Sequence, residues 1–344
     1  MNGKIELLFT LLICVTFLLL IPITIYLPID NHSSNDNGKS IENNFTDKSE
    51  ISNILKNKVK IFCIILTSPK NHQKRAIHQI NTWVRRCNNY IFGSGDEDTS
   101  LKAIKSCNND SYYVSMCKFK NTIKYVWNRY GDEYDWYIKV DDDTYVIMEN
   151  LRGYLINRNP NELSYHGFRL EYDIDNRTIN YLSGGAGYVM SKESVKLLVE
   201  KGLDSPEYCR QADEAYDDVE VGNCFKNLGV NLTGSVDVKG KPLFNANRPH
   251  EIIVFFSKYS AKCASNVSYS DFKCGFERLP EFPITFHYVD GSMMYAMEYF
   301  FYHANVLGKT MKFGEINGRH SENGDKDTGK KIRLMKLFSQ NYFP

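Results

Sequence analysis

The sequence predicts an α/β protein built on a mostly parallel β-sheet, and two observations support this fold class. Short apolar runs rich in β-branched and aromatic residues alternate with segments of helical periodicity over residues 59–158. Such alternation is typical of a parallel sheet that helices cover on both faces. The 344-residue chain is 42% hydrophobic and 24% charged, which is the composition of a globular protein. Its net charge of +1 gives no reason to expect a nucleic acid partner.

The N-terminal part contains one uncharged apolar run at residues 7–27, LLFTLLICVTFLLLIPITIYL. A helix needs about 20 such residues to cross a bilayer, so we predict a transmembrane signal anchor there. A cleaved signal peptide is the alternative, but its apolar part would be shorter, at about 7–15 residues. The anchor leaves a cytoplasmic tail at residues 1–6. Beyond the membrane, residues 28–57 are rich in Asn, Ser, Asp and Lys and are predicted to form a flexible stem.

Eight cysteines follow the predicted anchor, an even number that suits an oxidising compartment. Zinc ligation is the alternative, but the sequence has no C-x-x-C spacing. Six N-x-S/T sequons are consistent with exposure to the secretory lumen. Sequence alone does not fix the disulfide connectivity. Neighbouring positions favour the pairs Cys63–Cys87, Cys107–Cys117, Cys209–Cys224 and Cys263–Cys274.

The first half of the domain alternates strands and helices in order. The predicted strands are VKIFCIILTS (59–68), NYIFGS (89–94) and WYIKV (136–140). The predicted helices cover residues 72–87, 119–131 and 147–158.

The second half begins with a Gly-rich run, NYLSGGAGYVMS, at residues 180–191. Ser191 can cap the helix predicted to follow it. Further helices are predicted over 216–229 and 293–303, and EIIVFF at 251–256 resembles a strand. Residues 307–344 are polar and are predicted to be disordered.

Three aspartates, Asp141, Asp142 and Asp143, directly follow the strand WYIKV. Ligands of parallel sheets bind beyond the carboxyl ends of the strands. A solvated turn would explain the cluster, because Asp side chains bond nearby backbone N–H groups. The functional alternative is a D-x-D site for Mn²⁺ or Mg²⁺ that binds the diphosphate of a nucleotide-sugar. His287 is a candidate further ligand, although a His among aromatic residues is more often a packed core residue.

Four sequence motifs resemble those of the β1,3-glycosyltransferases of family 31, and they occur in the same order along the chain. Within this family, the resemblance is to the core 1 galactosyltransferases. The motifs are DWYIKVDDDTYVIMENLR, YLSGGAGYVMSKES, DDVEVGNCF and FHYVDGSMMYAMEY. The resemblance spans roughly residues 59–306 and implies a GT-A type, Rossmann-like catalytic domain at 58–306. It further implies a Golgi type II membrane protein that uses Mn²⁺. The implied reaction moves galactose from UDP-galactose to O-linked N-acetylgalactosamine on Ser or Thr of glycoproteins, and forms the core 1 β1,3 linkage.

The resemblance also implies roles for single residues. The implied metal ligands are Asp141, Asp143 and His287. The positions implied to line the nucleotide and donor pocket are Leu66, Thr67, Ser94, Asp142, Gly184 and Gly185. Glycines without side chains let a sugar ring approach the backbone closely, although a tight turn before a helix explains this Gly-rich loop equally well.

Asp218 matches the position of the general base, with Asp217 as its neighbour. The plainer explanation is that both acids lie at a helix N-terminus, where the helix dipole favours them. One base opposite the leaving group removes the acceptor proton as its oxygen attacks. The α-linked donor would then give a β-linked product.

Several departures from the core 1 pattern concern the acceptor. An Arg152-Gly153 pair replaces the usual Arg-Trp, and the chain has only three tryptophans. The Cys107–Cys117 couple is more similar to the Fringe branch. The alternatives are therefore a Fringe-like N-acetylglucosaminyltransferase, or a non-catalytic luminal chaperone of the same family, which lacks the metal motif. Core 1 relatives commonly form homodimers, so we expect one here.

Overall fold

A seven-stranded β-sheet forms the centre of the described domain, in agreement with the predicted fold class. The computed structural model describes residues 43–174, 177–254, 276–304 and 324–344. Within these ranges, Asp47–Pro344 form one unit.

The sheet is mostly parallel. Its order is β10-β6-β9-β4-β1-β2-β3, and only β9 runs antiparallel to its two neighbours. Strands β5, β11 and β12 form a second small sheet, and β7 and β8 form a hairpin. The strands are β1 (Ile61–Leu66), β2 (Asn89–Ser94), β3 (Ala103–Lys105), β4 (Trp136–Asp141), β5 (Tyr145–Val146), β6 (Tyr165–Gly167), β7 (Arg169–Ile174), β8 (Arg177–Leu182), β9 (Tyr188–Ser191), β10 (Leu232–Gly234), β11 (Phe244–Asn245) and β12 (Thr285–Phe286).

Helices follow the strands as the alternation predicts. They are α1 (Asn43–Lys58), α2 (Ile77–Asn81), α3 (Ser115–Tyr130), α4 (Met148–Leu155), α5 (Lys192–Leu197), α6 (Asp217–Asn227), α7 (Pro249–Val254), α8 (Gly291–Glu298) and α9 (Gly324–Tyr342). The Ser191 side chain accepts a hydrogen bond from the backbone N–H of Ser194, which confirms the predicted cap of α5.

Alternate residues of strand β1 face opposite sides of the sheet, and both sides are covered. On β1, Ile61, Cys63 and Ile65 pack against α1, α4, α8 and α9. Phe62 and Ile64 pack on the other side against α3, α5 and α6. A strand that is buried on both faces has no polar face, which explains the continuous apolar run in the sequence.

Three of the four expected disulfides are present. They join Cys63 to Cys87, Cys107 to Cys117 and Cys209 to Cys224. The fourth expected pair, Cys263–Cys274, lies outside the described residues.

The prediction of a strand in EIIVFF is wrong for its described part. Residues Pro249–Val254 form helix α7, with Pro249 at its first position and Glu251 in its first turn. Both residues favour a helix start, and a short apolar run cannot be assigned to a strand or a helix by periodicity alone.

The polar tail and the stem also contain helices, contrary to the predicted disorder. Helix α9 places Ile332, Met335, Phe338 and Tyr342 three or four residues apart, and these apolar side chains pack on the main core. Helix α1 also packs on the main core, through the buried side chain of Leu55. The average polarity of both segments hid this spacing. Residues 28–42 and 307–323 lie outside the described ranges.

The predicted transmembrane anchor at residues 7–27 also lies outside the described residues. Within the part that the structure describes, no helix combines the length and apolar character needed to span a bilayer.

Candidate active site

The turn after β4 is fixed by hydrogen bonds from elsewhere in the chain. The fully buried side chain of Gln79 donates to the backbone oxygens of Asp141 and Thr144, both at 2.9 Å. The Thr144 hydroxyl donates to the backbone oxygen of Gly185 at 2.8 Å. The acidic turn is therefore joined to α2 on one side and to the Gly-rich loop on the other, so it is more than a solvated turn.

The three sequence-predicted metal ligands come together. Asp141, Asp143 and His287 each offer one ligand atom, and these atoms all lie within 4.8 Å of one another. His287 Nε2 is 3.1 Å from Asp143 Oδ1. Two ligands of one ion, each about 2.1–2.3 Å from it, lie at most about 4.5 Å apart, so small shifts would let this cluster hold a divalent cation.

Gly185 makes room for the His287 ring. A Cβ atom at this position would lie 2.0 Å from His287 Cε1, so only glycine fits. The backbone N–H of His287 donates to Asn245 at 3.1 Å, and that of Val289 donates to Asp143 at 2.8 Å. Tyr288 between them has a φ of 56°, a left-handed conformation that is uncommon for a bulky residue and is often found at functional sites. The Gly-rich loop therefore positions a candidate ligand.

Lys139 connects the acidic turn to α6. Its ammonium Nζ lies 2.8 Å from Asp141 Oδ1 and 2.7 Å from Asp217 Oδ2, and the side chain is completely buried. Burial lowers the pKa of Lys139, but Asp141, Asp217 and Asp218 raise it above its usual range. For Asp141, burial is similarly outweighed by Lys139 and His287, which hold its pKa below the usual value. Lys139 therefore stays charged between two carboxylates.

Asp217 and Asp218 begin α6, where the helix dipole stabilises negative charge. The Asp218 carboxylate accepts hydrogen bonds from the backbone N–H groups of Gly184 and Val219, both at 2.9 Å. Burial and the neighbouring Asp217 raise the pKa of Asp218 to about 6. A Cβ atom at Gly184 would lie 2.8 Å from Lys139 Nζ and 3.2 Å from Asp218. Asp218 is thus a carboxylate of raised proton affinity beside the candidate metal site, as a general base requires.

Asp142 faces away from the ligand cluster and is buried. Its carboxylate accepts hydrogen bonds from Thr67 Oγ1 at 2.8 Å, Asn71 Nδ2 at 2.9 Å and Arg75 at 3.1 Å. Arg75 also lies 3.1 Å from Asp143 Oδ2. Burial and the nearby Asp143 raise the pKa of Asp142. Asp142 binds the acidic turn to the end of β1, and its contact with a nucleotide remains a prediction.

The remaining predicted pocket residues meet at the ends of β1 and β2. Leu66 pairs with Gly93 in register, and the backbone N–H of Thr67 donates to the oxygen of Gly93 at 2.9 Å. The fully buried Ser94 hydroxyl is 2.8 Å from His72 Nε2, and His72 Nδ1 is 3.4 Å from Asp98 Oδ2. This is the order of a Ser-His-Asp triad, but the buried hydroxyl is enclosed by the protein and fixes the strand end instead.

Sequence reasoning missed Lys139, Arg75 and Gln79. A signal existed for Lys139, because residues two apart on a strand face the same side and Lys139 lies two before Asp141. The partners of Arg75 and Gln79 are 62 or more positions away, so no local pattern reveals them.

Comparisons with known proteins identify the family of the chain. The model of the Fringe-like family matches residues 56–267. Glycoprotein-N-acetylgalactosamine 3-beta-galactosyltransferase 1 of Xenopus laevis is 33% identical over 269 residues, which are 76% of this chain and 72% of that protein. Beta-1,3-glucosyltransferase of Mus musculus is 26% identical over 59% of this chain, which spans 41% of that protein.

Two further similarities are partial. Chondroitin sulfate synthase 3 of Homo sapiens is 27% identical over 48% of this chain, which spans 20% of that protein. A solved glycosyltransferase involved in the glycosylation of the major capsid of PBCV-1 overlaps 43% of this chain and 71% of its own, at 16% identity and a TM-score of 0.24. That overlap is too low to support any conclusion.

Proposed function

The chain belongs to the Fringe-like family of glycosyltransferases, as its motifs predicted, and from that premise we propose that it is a core 1 galactosyltransferase. It transfers galactose from UDP-galactose to O-linked N-acetylgalactosamine on Ser or Thr of glycoproteins, with a β1,3 linkage and inversion at the sugar carbon. The observation that carries the proposal is one buried charge network that unites a metal-competent cluster with a carboxylate of raised pKa. The acceptor is suggested by the name of the relative that is 33% identical over 76% of the chain.

Asp141, Asp143 and His287 are the residues that would hold a divalent cation, most suitably Mn²⁺. When bound, the cation supplies positive charge that stabilises the departing nucleoside diphosphate. Lys139 neutralises Asp141 and Asp217 without leaving the protein interior.

Asp218 accepts the proton of the acceptor 3-hydroxyl. The acceptor oxygen forms its bond to C1 of galactose as the bond from C1 to the diphosphate breaks on the opposite face. No covalent sugar–enzyme intermediate is needed. The raised pKa of Asp218 suits it to take this proton near neutral pH.

The remaining parts of the proposal follow the family. The catalytic domain at 58–306 has a GT-A type fold, in which Leu66, Thr67, Ser94 and Asp142 line the nucleotide pocket. Residues 7–27 anchor the chain in the Golgi membrane as a type II protein, and two copies associate as a homodimer.

The test is a donor and acceptor assay on the full chain in detergent. Incubation with UDP-galactose, Mn²⁺ and a peptide that carries α-linked N-acetylgalactosamine should yield the β1,3-linked disaccharide. Absence of turnover with every UDP-sugar would overturn the proposal, and Mn²⁺-independent binding of UDP would favour the chaperone alternative.

A second candidate is a Fringe-like N-acetylglucosaminyltransferase. Two observations favour it: the match to the Fringe-like family over residues 56–267 and the Cys107–Cys117 disulfide, which resembles the Fringe branch. Comparison of UDP-N-acetylglucosamine with UDP-galactose as donors in the same assay distinguishes the two.

A further inference from the structure

Three tyrosines form a cluster at the surface of the domain, two of them exposed and the third, Tyr216, half-buried. Tyr112 and Tyr113 are 73% and 63% exposed, on a single helical turn before α3. The ring of Tyr216 lies 5.6 Å from that of Tyr112 and 5.8 Å from that of Tyr113, measured between centroids. Large aromatic side chains that remain exposed together mark binding surfaces on soluble proteins.

This cluster adjoins the proposed base. Tyr216 directly precedes Asp217 and Asp218 at the start of α6. The backbone N–H of Asp217 donates to Ser115 Oγ at 2.9 Å, and this bond holds the tyrosine turn against the start of the helix.

The turn that carries Tyr112 and Tyr113 is held rigidly. The Cys107–Cys117 disulfide closes the loop around it. Inside the loop, the Ser111 hydroxyl accepts a hydrogen bond from the backbone N–H of Tyr113 at 3.3 Å. A surface ordered before binding loses little conformational entropy when a ligand arrives.

The tryptophans cannot contact a substrate. Trp83, Trp127 and Trp136 are all buried in the core. Because they are the only tryptophans of the chain, any aromatic contact with a sugar must come from tyrosine or phenylalanine. Tyr288 is also exposed, but it stacks on His287 at the candidate metal cluster, on the donor side of the site.

We infer that Tyr112, Tyr113 and Tyr216 form the platform on which the acceptor's N-acetylhexosamine ring stacks, an inference that rests on the proposed function. A pyranose has one face made of C–H groups, which packs on flat aromatic surface, while tyrosine hydroxyls at the rim can bond its polar groups. A ring held there meets Asp218, which must reach the acceptor hydroxyl. The donor nucleotide is expected elsewhere, at the ends of β1, β2 and β4.

The test compares two double variants of the full chain. Tyr112→Ala with Tyr113→Ala should raise the KM for the N-acetylgalactosamine peptide roughly ten-fold, which corresponds to about 1.4 kcal/mol. The KM for UDP-galactose and the slow hydrolysis of the donor without acceptor should not change. Tyr112→Phe with Tyr113→Phe keeps the rings and should stay within about two-fold of the parent. Tyr299→Ala, at an equally exposed position of another element, is the matched control.

The outcomes separate this inference from the proposed function. An active parent enzyme whose alanine variant keeps its acceptor KM overturns the platform alone. A parent that transfers nothing to the peptide while it hydrolyses UDP-galactose overturns the proposed acceptor. Saturation-transfer NMR with the peptide, UDP and Mn²⁺ tests binding of the acceptor directly. The parent should show a signal from the acceptor sugar, and the alanine variant should lose it. A variant that keeps this signal would contradict the platform.

Discussion

The two sides of the site differ in what supports them. The proposed metal side consists of Asp141, Asp143 and His287. It is held by hydrogen bonds from the Gln79 and Thr144 side chains to backbone oxygens, and by backbone hydrogen bonds on either side of Tyr288. The acceptor side consists of Tyr112, Tyr113 and Tyr216, and it is held by a disulfide and one helix start. Buried carboxylates need fixed partners, because an unpaired charge in the interior is costly, whereas exposed rings need only a rigid support. On the proposed function, the chemistry would depend on the core, and recognition of the acceptor would depend on a surface loop.

The largest expected effect breaks the metal side. Asp143→Asn should abolish Mn²⁺-dependent transfer, with a loss of roughly a thousand-fold or more, because it removes a proposed ligand. UDP titrations by calorimetry should show that Mn²⁺ no longer strengthens UDP binding. Asp204→Asn is the control, since its exposed carboxylate forms ion pairs with Lys120 and Lys124, away from the proposed ligands, and it should keep the Mn²⁺ effect. Equal loss in both variants would contradict the ligand assignment.

The second effect removes the base and leaves the metal side intact. Asp218→Asn should lower kcat by roughly a hundred- to ten-thousand-fold, the usual contribution of a general base. Mn²⁺-dependent UDP affinity should stay within about two-fold of the parent, because Asp218 touches Gly184 and Val219 rather than the proposed ligands. A variant that retains full turnover would assign the base elsewhere.

The third effect breaks the connection between the acidic turn and α6. Lys139→Met leaves the buried Asp217 and the partly exposed Asp141 without their cation, and loss of a buried partner costs about 3–5 kcal/mol of unfolding free energy. Thermal unfolding in detergent should show a clearly lower Tm. Lys120→Met, which removes an exposed pair with Asp204, should cost less than about 1 kcal/mol. Similar Tm values for both variants would mean that the buried pair contributes little.

A smaller effect tests the contact between the Gly-rich loop and the metal side. Gly185→Ala would place a methyl group 2.0 Å from the present position of His287 Cε1, so the ring must move. Displacement of this ligand should weaken Mn²⁺ affinity roughly ten- to hundred-fold, the range found when a ligand loses its support. Gly153→Ala is the control, because its nearest neighbour would be 3.5 Å away. Unchanged Mn²⁺ affinity would exclude His287 as a ligand.

The smallest effect is the dependence of kcat/KM on pH, which reports the protonation of the proposed base Asp218. Only the carboxylate form of Asp218 can accept a proton, so kcat/KM should fall about ten-fold per pH unit below its pKa of about 6 and level off above it. Because Asp217 helps to raise that pKa, Asp217→Asn should move the acid limb to lower pH. Mn²⁺ affinity measured over the same range separates titration of the base from that of the ligands. A flat profile from pH 5 to pH 7 would contradict the assignment.

Much of the fold was predictable, because strands buried on both faces leave long apolar runs in the sequence. The acidic turn, the family and three disulfides were also predicted from local motifs and cysteine spacing, and each agrees with the structure or the comparisons. The high average polarity of the C-terminal segment led to the wrong prediction of disorder there. Helix α9 forms because four apolar residues at helical spacing pack on the core, although most residues around them are polar or charged.

Contacts between distant residues were beyond sequence reasoning. Lys139 pairs with Asp217, and Gly185 accommodates His287, across 78 and 102 positions of the chain. Neither contact follows from a local pattern. The tyrosine cluster was missed for the same reason, since Tyr112 and Tyr216 meet only when α3 packs beside α6.

The small covalent ring between Cys107 and Cys117 has an evolutionary consequence. If the tyrosine platform binds the acceptor, exchange of the outward residues of this ring would change the sugar that is recognised and leave the buried charges of Asp141, Lys139 and Asp217 in place. Descendants of one ancestral enzyme would then diversify their targets without rebuilding their chemistry.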